Sequence, residues 1–452
     1  MTLSTLLLVI SAVALILTLA IGAIFKAHKS WVMTYLQNFC GVLFIFSGFV
    51  KAIDPLGTSY KMGQYFAEFE STFDGTWFSF LAPLFPLLNE YANVFAISVI
   101  IFEILLGLML VLGSKTKFTS WAFLILVGFF TFLTGFTFLT GYVPSDANFF
   151  AFGKWGAYNE LQMKVTDCGC FGDFLKLKPK VSFLKDLFLL VPAIFFVFRN
   201  KDMHQLFTSK VRSGLVIGVG ALLLLYCVRN TYWNLPNTDF RPFRDGVDVR
   251  AQKQLEDEAE AAIEIVAYKL KNKLNSKVVE LPFQQYMKEY KNYPKTDWEI
   301  IESIKTEPAI EATKISEFIV YDPAGNDMTE EILGHAGYHI LVVCDKVPQS
   351  DGSWKSSYIE RFTEDVQPVL AAAAADGVTV RVIAGGVDPA RLPALAEATG
   401  VTATWGTADD ILLKTIIRSN PGVVLMDGGK ILQKYHYRHL PEWTKIKSDH
   451  LK

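Results

Sequence analysis

The sequence predicts an α-helical membrane bundle of about six spans followed by an α/β domain outside the membrane. Three observations predict it. Hydrophobic residues are 51% of 452, with 36 Phe and a positive mean hydropathy, yet 19% are charged, too many for spans alone. The long apolar runs all lie in the first half, each near the ~20 residues a helix needs to cross hydrocarbon. From Ile315 onward, short apolar runs alternate with helical patterns, which is the signature of an α/β arrangement. A net charge of −2 without a basic stripe excludes nucleic acid as a partner.

The first run, residues 3–25, is followed by KAHK, so its positive charge lies on the wrong side for a cleaved leader. We expect a retained span with its amino end outside. Five more spans are expected at 31–52, 93–113, 118–141, 181–198 and 214–228. Lys51, Lys185 and Asp186 fall toward span ends, where long basic side chains snorkel to the interface. Lys26 and Lys29, Lys115 and Lys117, then Arg199, Lys201, Lys210 and Arg212 occupy alternate short connections, which the positive-inside rule assigns to the cytoplasm. The opposite connection, 54–90, is long and carries Asp54, Glu68, Glu70, Asp74 and Glu90. Both termini and the loop 142–180 then face outside, where disulfides persist.

That loop holds KVTDCGCFGDFLKLK, with two of the five cysteines, Cys168 and Cys170, one residue apart. Their Cα atoms are at most ~7 Å apart, near the upper limit for a disulfide, and a turn at Gly169 brings them closer. A bond between them would be strained and readily reduced, which suits a centre that passes electrons on. A static disulfide and a plain glycine turn remain as alternatives. In the latter, Asp167 and Asp173 cap adjacent helices, and the same aspartates disfavour a thiolate. Cys40 and Cys227 are candidate exchange partners. No metal site is assigned: His28 and His204 are expected on the other side of the membrane, which leaves zinc short of ligands, and only copper(I) on two thiolates stays open. Glu103 lies mid-span. It is either a proton or quinone head-group site, with Lys51 and Asp54 at its mouth, or a carboxyl that locks the bundle.

The stretches NFCGVLFIFSGFVKAIDPLGTSYKMGQYFAEF, FEILLGLMLVLG and DCGCFGDFLKL together resemble the DoxX/MauE group of four-helix membrane proteins, with the methylamine utilisation protein MauE family the closer match. The likeness covers roughly residues 35–200. It implies quinone-linked oxidation or disulfide maturation of partner proteins, Cys168 and Cys170 as a redox pair, and a bacterial inner-membrane location. The bilayer, envelope proteins and a larger membrane complex are the implied partners, and quinone is the implied cofactor.

Domain boundaries are expected at 1–30 for the first helix, 31–200 for the DoxX/MauE-like part, 201–249 for the sixth helix with a stiff exit linker, 250–314 for a mixed connector, and 315–452 for the α/β domain. The linker LPNTDFRPF is similar to segments that join DoxX-like units to extracytoplasmic domains. In the connector, 251–281 reads as helix then hairpin, and the charge run Glu256–Glu260 as a solvated face. Beyond it, EFIVYDPAGNDMTEEIL reads as strand, turn and helix, GYHILVVC as a buried strand, SSYIERFTEDVQPVLAAAAADG as a helix, VTVRVIAG as a strand, PARLPALAEATG as a helix, and PGVVLMDGGKILQKYHY as a hairpin. This resembles the thioredoxin-like domain of TlpA and peroxiredoxin relatives, with Pro421 matching its cis-proline. It departs at the active site: Cys344 stands alone inside a strand, where such domains carry Cys-x-x-Cys, so a docking module is implied. His436 and His439 read as surface residues. Two functions follow, a membrane thiol or quinone oxidoreductase and a non-enzymatic scaffold of an envelope complex.

Overall fold

A computed structural model describes residues 2–165, 167–347, 349–350 and 353–451. The chain divides into two units, Met1–Phe240 and Arg241–Lys452.

Six helices of the first unit are long and apolar enough to cross a membrane. These are α1 (Leu3–Ala23), α2 (Trp31–Ile53), α5 (Ala92–Leu112), α6 (Thr116–Leu139), α7 (Pro179–Phe198) and α8 (Ser209–Tyr232). Each lies within a few residues of the expected span. Between α2 and α5 the chain does not loop freely, as expected for 54–90, but folds into α3 (Pro55–Phe73) and α4 (Leu84–Glu90). Asp54 caps α3 by accepting the Gly57 amide, and Pro55 suits the first helical position. Met62, Tyr65, Phe66 and Phe69 recur at helical spacing and bury one face of α3 against Ala92, Leu133 and Phe136. The other face keeps Glu68 and Glu70, so α3 is amphipathic and too polar to span.

Lipid tails give helices no hydrophobic reason to associate, so close packing and polar bonds must hold the bundle. Asn38 donates to Thr18 Oγ1 at 3.0 Å, tying α2 to α1, and Gln37 donates to the Leu110 carbonyl at 3.1 Å, tying α2 to α5. Asn230 of α8 donates to the Ile53 carbonyl at 3.2 Å. The basic connections meet on one face: Lys29 Nζ donates to the Lys201 carbonyl at 2.7 Å, and the Leu206 amide to the Leu112 carbonyl at 3.0 Å. Arg212 is buried there and ties down the Leu206 and Phe207 carbonyls.

In the second unit, the end of the exit segment is not a free linker. Gly246 donates to the Ile431 carbonyl and Val249 to the Gly429 carbonyl, both at 2.8 Å, so it pairs along the closing hairpin. After α9 (Val249–Ala261) come β1 (Ile265–Asn272), β2 (Val278–Pro282), α10 (Phe283–Glu289) and β3 (Trp298–Lys305), with the strands in an antiparallel sheet of order β2-β1-β3. Glu256 is buried rather than solvated. Its carboxylate accepts from the amides of Thr313 and Ser316 and from the Thr313 hydroxyl, fixing the turn after β3.

The remaining elements are α11 (Thr329–Leu333), β4 (Tyr338–Cys344), a small hairpin of β5 (Gln349–Ser350) and β6 (Ser353–Trp354), α12 (Ser356–Glu360), α13 (Gln367–Ala375), β7 (Thr379–Ala384), α14 (Leu392–Thr399), β8 (Thr404–Thr407), α15 (Asp410–Ile416), β9 (Gly422–Asp427), β10 (Lys430–His436) and α16 (Trp443–His450). The main sheet has order β10-β9-β4-β7-β8. Strands β4, β7 and β8 run parallel, while β9 is antiparallel to both β4 and β10. EFIV forms no strand; only Tyr321 bridges, to Asp327 and Thr407. The helix expected over 356–377 is interrupted by a π-helical stretch, Arg361–Val366, just before Pro368, whose missing amide cannot continue the ladder. The Asn420–Pro421 bond is cis.

Candidate functional site

Below α6 the loop is fastened before it reaches the cysteines. Asn148 donates to the Thr72 carbonyl at 2.8 Å, and the Asn159 amide to the Gly141 carbonyl at 2.8 Å. At Gly169 the backbone takes φ +60°, a conformation open to glycine at no steric cost, while Asp167 accepts the Gly169 amide at 3.1 Å and Gly172 closes a turn on the Gly169 carbonyl. Asp167 therefore orders the turn and caps no helix; Asp173 pairs with Lys176 at 3.7 Å. Phe171 is fully buried, with its ring 6.3 Å from that of Phe46 on α2, and plugs the turn into the bundle.

Two buried ion pairs lie against this plug. Lys51 is 6% exposed and Glu103 1%, with Nζ 2.8 and 3.0 Å from the two carboxylate oxygens. Lys51 also donates to Ser47 Oγ at 3.2 Å, and Ser47 donates to the Cys170 carbonyl at 2.8 Å. A chain of bonds thus runs from Glu103 to the backbone of the second cysteine. On α7, Lys185 contacts Asp186, and Thr134 of α6 donates to Asp186 Oδ2 at 3.0 Å. Lys185 Nζ is 5.8 Å from the centre of the Phe171 ring. Neither Lys51 nor Lys185 snorkels outward. Each is held inside by an acidic partner, because a charge in the bundle is tolerated only when paired.

Cys170 packs against the apolar core of the first unit, whereas Cys168 lies beside the Lys61–Asp167 pair, which is 3.1 Å apart. The Ser182 hydroxyl of α7 is fully buried and has no partner in full hydrogen-bond geometry, yet it lies close enough to both sulfurs to favour their thiolates. Burial pushes the Cys168 thiol up to about 12, with Cys170 and Asp167 adding smaller increments. Burial also raises Cys170, but Lys185 and then Lys51 oppose it. Cys170 thus has Lys185 and Lys51 as its neighbouring cations, whereas the cation nearest Cys168, Lys61, is paired with Asp167.

All five cysteines are free thiols. Cys40 and Cys227 are fully buried in different apolar clusters, the first with Phe171, the second with Ala52 and Ile100. In the second unit Cys344 is buried beside Tyr358, and burial holds its thiol up at about 12. His436 is buried, not a surface residue, and burial pushes it down to about 4; its ring centre is 6.3 Å from that of His439. Among the described residues, no group of three His, Cys, Asp or Glu side chains could hold a metal.

A quinone carbonyl at Glu103 would need a donor. Lys51 has three ammonium hydrogens and three bonds, two to Glu103 and one to Ser47, so this arrangement offers none. The residues present do not fit a quinone there. Reading from sequence also missed Ser182, Lys185 and Asp186 as interior groups, although their spacing of i, i+3 and i+4 puts them on one helix face.

Six spans around a paired-thiol loop and two internal ion pairs define a polytopic helical membrane protein with a sulfur-bearing site. Residues 29–146, about a quarter of the chain, match the family model of the methylamine utilisation protein MauE. The match takes in α2 to α6 and ends before the two cysteines of the loop. No curated protein and no solved structure matches the chain.

Proposed function

We infer that the protein is a thiol–disulfide exchange unit of the bacterial inner membrane, with Cys168 and Cys170 acting on cysteines of envelope proteins. One observation carries this reading: the paired sulfurs are held by backbone and side-chain bonds against a buried cluster of opposite charges, with an unpartnered hydroxyl beside them. Burying polar groups in this way costs stability, and a mere turn has no use for it. The exchange balances by itself. A client dithiol loses two electrons and two protons as its disulfide forms, and the Cys168–Cys170 disulfide gains them as it opens.

The second unit serves as a docking module in this reading. Its order β10-β9-β4-β7-β8, with a parallel β4–β7 crossover and a closing antiparallel hairpin, supports a thioredoxin-like domain, and its lone Cys344 cannot run a dithiol cycle. The basic connections gathered on one face support a cytoplasmic side there, with the cysteine loop and the second unit in the periplasm. A scaffold without chemistry is the second reading, favoured by the absence of a dithiol from the second unit.

Replacing Cys168 and Cys170 by Ser, singly, in the full-length protein in cells decides between them, with envelope-protein thiols followed by mass-shift alkylation. Exchange predicts reduced clients in both variants, since neither can hold the Cys168–Cys170 disulfide that takes up the client's electrons. Client disulfides unchanged in both variants leave only the scaffold.

A further inference from the structure

We propose that Cys170 is the sulfur that leaves as thiolate when a client attacks the Cys168–Cys170 disulfide, and that Lys185 is the positioning group that receives it. This rests on the exchange reading above. The two sulfurs sit in unlike surroundings. Cys168 is at the polar rim, where the Asp167 carboxylate opposes a second negative charge. Cys170 is set into the core with its carbonyl fixed by Ser47, and Lys185 of α7, paired with Asp186, holds its Nζ 5.8 Å from the ring of the next residue, Phe171.

The buried Ser182 hydroxyl would be an unexplained cost if the loop were only structural, since an orphaned hydroxyl forfeits its bond to water. A thiolate at either sulfur supplies the missing acceptor, so the hydroxyl serves the pair and the neighbouring charges set the direction. Lys185 is the strongest favourable charge on that sulfur, followed by Lys51, and Asp186 opposes them. Glu103 faces Lys51, and the Tyr65 hydroxyl, bonded to Thr137 at 2.6 Å, faces both sulfurs; Lys61 holds Asp167. The electron flow is fixed by this asymmetry. A client thiolate forms a bond to Cys168 Sγ, the Cys168–Cys170 bond breaks, and the electron pair stays on Cys170 beside Lys185. The second client thiolate then attacks the client sulfur of the mixed disulfide, and Cys168 leaves in turn. A sulfur whose thiolate is better stabilised leaves faster, so attack is directed to Cys168.

The test uses full-length protein in nanodiscs, a Cys168→Ser background, and the pH profile of Cys170 alkylation by iodoacetamide, read on the loop peptide by mass spectrometry. Lys185→Met should move the profile to higher pH and slow alkylation at neutral pH roughly tenfold. Lys185→Arg should restore the parent profile, and Asp186→Asn should move it to lower pH. Should Lys185→Met fail to fold, the direction of the Asp186→Asn shift decides alone. A profile that Lys185→Met leaves in place, an upward or absent shift in Asp186→Asn, or an equal Lys185 effect on Cys168 in a Cys170→Ser background overturns the proposal. Alkylation needs no client, so this outcome is independent of whether client disulfides change in cells.

Discussion

Lys51 and Glu103 are 52 positions apart in the sequence, and each read alone raised a problem: a cation where a span should be apolar, and a carboxyl at mid-depth. Their 2.8 Å contact answers both at once. Removing one partner leaves the other charged and buried, so Glu103→Gln should cost about 3–5 kcal/mol, whereas Lys51→Met combined with Glu103→Leu should recover most of it. Thermal unfolding in detergent measures this, and a Glu103→Gln variant as stable as the parent would remove the locking role. The types of these residues announced that something held them. The sequence put Lys51 at the mouth of a Glu103 site, but not the direct ion pair, because pairing depends on how two spans rotate against each other.

Helices α2 and α5 meet backbone to backbone. A Cβ on Gly107 would lie 2.6 Å from the Gly41 carbonyl oxygen, and one on Gly41 would lie 2.8 Å from the Gly107 carbonyl oxygen. This approach sets the register that brings Lys51 to Glu103 and Ser47 to the loop. Gly107→Leu should therefore separate the two helices and lower the unfolding temperature markedly, while Gly128→Leu, with open space at its Cβ, should leave it near the parent value. Equal melting of the two variants would show that the close approach does not hold the bundle. The six spans were legible because each is a long apolar run. Helix α3 was not recognised, although its apolar residues repeat at helical spacing, because charges interrupt every apolar stretch in it. Strand β8 and helix α15 were not expected either, since each is only a few residues long and carries no sustained apolar period.

Sidedness follows from charges summed over the whole chain. Lys29 and Lys201 are bonded across two connections, so one orientation governs both. In a Cys168→Ser, Cys170→Ser background, an impermeant maleimide on intact spheroplasts should label Ser448→Cys and miss Lys201→Cys until the membrane is opened. Labelling in the reverse pattern would invert the topology and put the native cysteine loop in a reducing compartment.

Hydrophobicity is a local property that adds along the chain, so composition alone carries the spans, the division into an apolar and a polar half, and the loop with two cysteines. Glycine at 169 likewise announces its turn, since the restriction is in that residue itself. The gathering of Ser182 and Lys185 near Cys170, the burial of Glu256, and the engagement of every Lys51 hydrogen depend on distant segments arriving together. No pattern within a single segment encodes such an arrival; it is a sum over the packing of all the others, and the folded chain is where that sum is taken.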